Sequence, residues 1–257
     1  MIRMNEHGEG GMAGFLLLQA RDADDPMAEH ERLSFARAME VDPTELTPFS
    51  LITGVPEASW AARFEAVFIG GSGDYSARGD DKWVNEAANF TREVLVGQGL
   101  PTFAVCFGLQ LMGRALGETV IHDPDNREVG SFLLTTTSEI DDDPLFGHLP
   151  AEFWAQQGHN DRILQAPEGT TRFAFSERAE VQAFRVNGKP VWATQFHPEL
   201  DMAGNRLRYM RYIDNYGGLQ GAESDDPVLS SLRPTPLASE LLARFVRLRR
   251  AGVISPA

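Results

Sequence analysis

A single cysteine, Cys106, serves 257 residues, which excludes an internal disulfide framework and suits a reducing cytoplasm. Positive charge is also scarce. Against 37 Asp and Glu stand 23 Lys and Arg, a formal net charge of -14. Such a surface repels phosphate backbones and anionic membranes, so no nucleic-acid partner is expected. Long apolar runs are missing as well. The longest near the start, Phe15 to Leu18, is far too short for a signal-sequence core or a membrane span. What remains is ordinary for a globular protein. It is 42% hydrophobic and 23% charged, in a chain long enough to bury a core as one large domain or two small ones. A cytoplasmic protein without a membrane anchor is expected.

Taken in order, residues 1–13 have no periodicity and read as a disordered leader. Phe15 to Ala20 and Ala66 to Ile69 read as buried strands, and Phe49 to Ile52 as a further one. Pro26 to Met39 and Lys82 to Val96 read as helices. Three glycines, Gly70, Gly71 and Gly73, follow the second strand closely and mark a sharp turn or a close approach. After Gly117 extended segments dominate: residues 119–122, 131–137, 152–156, 171–175, 181–186 and 191–196, with a hairpin turn at Asn187-Gly188. Asp141 to Pro144 reads as a solvated turn and helix start. Asn205 to Tyr216 is expected to be helical, residues 219–234 loop-like, and a last amphipathic helix follows Thr235-Pro236. Strands alternating with helices, then a strand-rich half, predict an α/β layer structure around a mainly parallel sheet with added antiparallel strands.

Two stretches carry chemistry. Phe103 to Val105 reads as a short buried strand, and Leu109, Met112 and Leu116 follow at helical spacing. Cys106 therefore sits at a strand-to-helix turn, where free N–H groups and the helix dipole favour a thiolate. Small neighbours, Ala104 and Gly108, permit the sharp turn of a nucleophile elbow. A buried structural cysteine is the commoner alternative. The second stretch, Gln195-Phe-His197-Pro-Glu199, ends an extended run. Residues two apart on such a chain share a side, so Glu199 is expected to fix the imidazole of His197 as a general base. No metal-ligand spacing and no cofactor motif is present.

Together these blocks resemble the class I, triad-type glutamine amidotransferases, most closely the amidotransferase domain of GMP synthase and its stand-alone relatives. Ala104-Val-Cys106-Phe-Gly108-Leu-Gln110 is similar to the nucleophile motif, Gln195 to Glu199 to the histidine–glutamate motif, and Ile69-Gly70-Gly71-Ser72 to the glycine loop. The resemblance covers roughly residues 14–218 as one amidotransferase-like domain, with 219–257 as a C-terminal loop and helix packed on it. It implies a flavodoxin-like three-layer sandwich and a Cys106-His197-Glu199 triad. It also implies an oxyanion hole from the N–H groups of Gly71 and Phe107, and substrate contacts from Gln110, Gly130, Ser131 and, more loosely, His159. Glutamine or another γ-glutamyl compound is the implied substrate. No stretch of this sequence resembles an ATP-pyrophosphatase domain, so released ammonia is expected to pass to a separate synthetase partner. Ala104 and Ser72 stand where the family has glycine and proline. Two rivals remain, a stand-alone γ-glutamyl peptide hydrolase and a catalytically idle regulatory protein.

Overall fold

The computed structural model describes residues 14–217 and 223–257; the expected leader lies outside them. Its main sheet has nine strands in the order β2-β1-β3-β4-β11-β10-β9-β6-β7. Strands β1 (Phe15–Gln19), β2 (Leu46–Ser50), β3 (Ala66–Ile69), β4 (Thr102–Val105) and β11 (Val191–Thr194) pair in parallel. From β11 the sheet continues antiparallel through β10 (Ala183–Val186), β9 (Thr170–Phe175), β6 (Glu128–Thr136) and β7 (Glu152–His159). Strands β5 (Val120–His122) and β8 (Asp161–Ile163) form a separate antiparallel pair.

The parallel strands are apolar on both faces, as a doubly covered sheet requires. Phe15, Leu17, Phe68, Phe103 and Val105 point into one core. There they meet Phe35 and Met39 of α1 (Pro26–Met39) and Leu241, Leu242 and Phe245 of α7 (Pro236–Arg250). Leu16, Leu18, Val67, Ile69 and Ala104 point the other way. They meet Ala87 of α3 (Lys82–Phe90) and Leu109 and Met112 of α4 (Phe107–Ala115). Period-two alternation thus makes the three layers. The ring of Phe245 packs edge-on against Phe68, Phe103 and Trp192. The remaining helices are the single turn α2 (Ala58–Ala61), α5 (Met202–Arg211) and α6 (Pro227–Ser231). Among the described residues no helix is long and apolar enough to cross a membrane.

Several boundaries differ from expectation for local reasons. The second strand begins three residues early, at Leu46, and Pro48 is tolerated because β2 lies at the sheet edge. Helix α3 runs on to Val96 as expected, although Thr91–Val96 has π-type bonding. Helix α5 starts at Met202 because Asp201 accepts a hydrogen bond from the Gly204 N–H at 2.7 Å. Part of the expected loop 219–234 is helical: Asp226 caps α6 by accepting from the N–H groups of Val228 and Leu229. Asp143 is no solvated turn residue. It is buried, caps the N–H groups of Leu145 and Phe146, and accepts from Trp192 Nε1 at 3.2 Å and Arg185 Nη1 at 3.1 Å.

Candidate active site

Because β4 pairs in parallel with both β3 and β11, the carboxyl ends of all three emerge side by side. Strand β3 delivers Gly70 and Gly71, β4 delivers Cys106, and β11 delivers Gln195 and His197. This edge is where open α/β sheets hold their ligands. Segments almost 100 residues apart in sequence thus meet through sheet order alone.

Cys106 has φ 54° and ψ -103°, a conformation that costs a non-glycine residue on the order of 1–3 kcal/mol. Its N–H donates to Thr194 O at 2.7 Å, which ties the turn to β11. Phe107 opens α4, so its N–H precedes the first intrahelical bond and lies at the positive end of the dipole. The Phe107 ring stacks on Trp83. Gly108 lets this first turn sit directly on β3. A Cβ there would lie 2.8 Å from Ile69 O and 2.9 Å from Ile69 Cβ. Alanine usually gains a helix about 1 kcal/mol over glycine, whereas forcing a methyl against backbone costs about 1–3 kcal/mol. Gly108→Ala is therefore expected to lower the denaturant midpoint in a urea titration. A raised midpoint would contradict the packing described.

His197 and Glu199 are both buried, and His197 Nδ1 lies 2.8 Å from Glu199 Oε1. The reason is not the extended chain that the sequence suggested. Strand β11 stops at Thr194, and a turn closed by Leu200 N–H to His197 O brings residues 197 and 199 together. Burial alone would make His197 a weaker base. The Glu199 carboxylate and then Cys106 outweigh burial and push its pKa up to about 10. Burial also opposes ionisation of Glu199, but the charges of His197 and Arg208 bring its pKa down to about 2. Each member of the pair thus favours the charged form of the other.

Other expected site residues divide into two groups. Cys106, Phe107, Gln110 and His159 line a cleft of about 330 Å3. Gln110 Nε2 donates to Asp161 O at 2.7 Å and to Gln195 Oε1 at 3.3 Å. His159 has both ring nitrogens occupied, by Glu128 Oε2 at 3.0 Å and Asp161 O at 3.2 Å, so it supports the cleft wall. Gly71 lies behind the cleft lining. Its N–H donates to the buried carboxylate of Glu31 at 3.0 Å instead of pointing at Cys106. A Cβ on Gly71 would lie 3.0 Å from the His197 ring, so any side chain there would crowd the imidazole. Gly130 and Ser131 are not cleft residues. Gly130 faces Ser231 and Val228 of α6, and Ser131 Oγ accepts from the Arg233 N–H at 3.1 Å.

The structure adds residues that the motifs did not single out for a role. Gln195 Nε2 donates to Cys106 Sγ at 3.6 Å, and Arg208 Nη1 donates to Glu199 Oε1 at 2.8 Å. At the cleft mouth His122 Nδ1 lies 2.7 Å from Asp161 Oδ1. Gln195 stood inside the quoted motif. Arg208 follows Asp201 by two helical turns, so a correctly placed helix start would have aimed it at Glu199. His122 had no sequence signal, being 39 residues from its partner.

A strained cysteine at a strand-to-helix turn lies beside a buried histidine–carboxylate pair at the carboxyl edge of a parallel sheet, the arrangement that thiol-nucleophile chemistry requires. Comparison with known proteins narrows the class. Residues 40–213 match the family described as glutamine amidotransferase class-I, and this chain belongs to that family. It is 32% identical over 139 residues to one of the subunits of the glutamine-hydrolyzing GMP synthase of Sulfolobus acidocaldarius, covering 53% of this chain and 68% of that protein. It is 33% identical over 113 residues to the glutamine-hydrolyzing GMP synthase of Thermosipho melanesiensis, covering 44% of this chain but 21% of that longer protein. The fold is shared with a glutamine amidotransferase of Thermotoga maritima (TM-score 0.70, 19% identity, 92% of this chain and 97% of that one). A glutamine amido transferase of Methylobacillus flagellatus is alike to the same degree (TM-score 0.71, 18% identity, 96% and 97%).

Proposed function

We propose that this chain is a cytoplasmic glutaminase that releases ammonia for a separate synthetase. The observation that carries the reading is Cys106 at its strained turn beside the buried His197–Glu199 pair, both flanking Gly71. The thiolate of Cys106 attacks the side-chain carbonyl carbon of glutamine. Phe107 N–H, at the helix start, stabilises the tetrahedral oxygen. Gly71 N–H joins it where the loop turns that donor away from Glu31. His197 gives its proton to the departing nitrogen, and ammonia leaves as the thioester forms. Water then attacks the thioester with His197 taking its proton, which expels the Cys106 thiolate, restores the imidazolium and yields glutamate. Relatives named as separate subunits of GMP synthase support a partner that accepts the ammonia.

A second reading keeps this chemistry and changes the leaving group. The cleft opens beyond Cys106 to a polar mouth formed by Arg78, His122 and Asp161, which accommodates a γ-substituent larger than an amide. Steady-state assay of glutamine against a panel of γ-glutamyl peptides, with and without a synthetase partner, separates the two. Glutamine turnover that rises with the partner is the expected result; preference for peptides would replace it with the second reading. A glutamine-like electrophile is expected to label Cys106, as read by peptide mass mapping. Labelling elsewhere, with Cys106 intact, would remove the nucleophile assignment.

A further inference from the structure

Behind the His197–Glu199 pair lies a buried guanidinium that no step of this reaction uses. Arg208 is 7% exposed and sits on α5, which Asp201 caps. One of its nitrogens, Nη1, donates to Glu199 Oε1 at 2.8 Å and lies 3.4 Å from His197 Nδ1. The same carboxylate oxygen is 2.8 Å from His197 Nδ1. A guanidinium has only donors, and Nδ1 already gives its proton to Glu199, so the 3.4 Å approach is a meeting of like charges whenever His197 is protonated. A second carboxylate faces Arg208 from the far side. Its Nη2 lies 3.7 Å from Glu31 Oε1, and Glu31 is held in turn by Arg21 Nε at 3.1 Å and by the Gly71 N–H at 3.0 Å.

We propose that Arg208 is a positioning residue of this site, which pins the shared oxygen of Glu199 and makes the imidazolium of His197 a better proton donor to the leaving nitrogen. The inference rests on the proposed roles of Cys106, His197 and Glu199. A histidine paired with a buried carboxylate alone holds its proton tightly and gives it up reluctantly. A cation beside the same carboxylate weakens that hold without moving the histidine. The charged and titratable groups around the pair leave this effect to Arg208. Cys106 and Glu199 are the partners already described, and Glu31 and Arg21 compensate each other at 3.1 Å. His30 is kept neutral by burial, with Arg208 and Arg21 adding to it. The phenols of Tyr212 and Tyr216 are held protonated, chiefly by burial.

The test compares the parent with Arg208→Met, Arg208→Gln and Arg208→Lys, each checked for parental circular dichroism. Arg208 is not among the residues lining the cleft, so KM for glutamine is expected to stay within about twofold while kcat falls on the order of tenfold in the neutral variants. Removing a neighbouring cation favours the protonated imidazole, so the basic limb of the kcat profile moves to higher pH, by on the order of one unit. Arg208→Lys keeps the charge and is expected to return the limb most of the way. An NMR titration of the His197 ring in the resting protein needs no turnover and is expected to show the same upward shift. Neutral variants with parental kcat and limb overturn the proposal, as does a fall in kcat with an unmoved limb. Should the parent lack Cys106-dependent turnover, the reading of the site fails, and the His197 titration alone then decides on Arg208: an upward shift supports it and none overturns it.

Discussion

Cys106→Ala is expected to reduce ammonia release from glutamine by on the order of 10^4-fold or more, to the background of the assay. The magnitude follows from the arrangement. In the proposed mechanism His197, Glu199 and Phe107 all act on chemistry that begins at the sulfur. Without the sulfur no thioester forms, and the remaining groups can only orient water. The same substitution should leave the fold nearly unchanged. Alanine occupies the positive-φ turn no less readily than cysteine, and the contacts it removes are a 3.6 Å hydrogen bond from Gln195 and the sulfur's interaction with His197. A stability loss of about 1 kcal/mol, typical of a point substitution, is expected in a urea titration. Ammonia release measured by a coupled assay, beside the unfolding curve, separates lost chemistry from lost structure. Hydrolysis by the alanine variant at the parental rate would end the assignment.

How much of this was legible in the chain depends on the range of the interaction. The elbow was legible because its determinants are contiguous: an apolar strand, a small residue before and after Cys106, and helical spacing behind it. The proximity of His197 and Glu199 was legible as well, although the turn after Thr194, not strand alternation, produces it. Gly71 was expected to offer its N–H to an oxyanion, and no local pattern hinted that this N–H would meet a carboxylate from α1, 40 residues earlier. Gly130 and Ser131 were expected as substrate contacts from the family resemblance alone; in the fold, Ser231 and Arg233, from a stretch that read as loop, sit against them. Asp143 looked solvated because acidic runs usually are, and only the sheet brings Trp192 and Arg185 to it. Local pattern fixes where backbone turns. It does not fix which distant side chain meets a buried charge.

The largest expected effect on stability comes from such a charge. Glu31, on α1, is fully buried, and its carboxylate accepts from Gln19 Nε2 at 2.9 Å, Arg21 Nε at 3.1 Å and the Gly71 N–H at 3.0 Å. Arg21 is itself buried. Burial opposes its charge, and Glu31 is the first group that offsets this and raises its pKa. Arg208 stands 3.7 Å away on the other side. Glu31→Ala removes the anion that both guanidinium groups share, and breaking one side of a buried ion pair costs about 3–5 kcal/mol. For a chain of this size that is a fall in melting temperature on the order of 10 °C. Glu31→Gln keeps the shape and an acceptor for the Gly71 N–H but loses the charge, so an intermediate loss is expected. Pairing Glu31→Leu with Arg21→Met removes the uncompensated cation as well and should recover part of the loss, because a buried pair exchanged for apolar groups is often neutral. A thermal melt of all three variants decides the cause. If the double variant is no more stable than Glu31→Ala, then lost packing, not an orphaned charge, is what the carboxylate prevented.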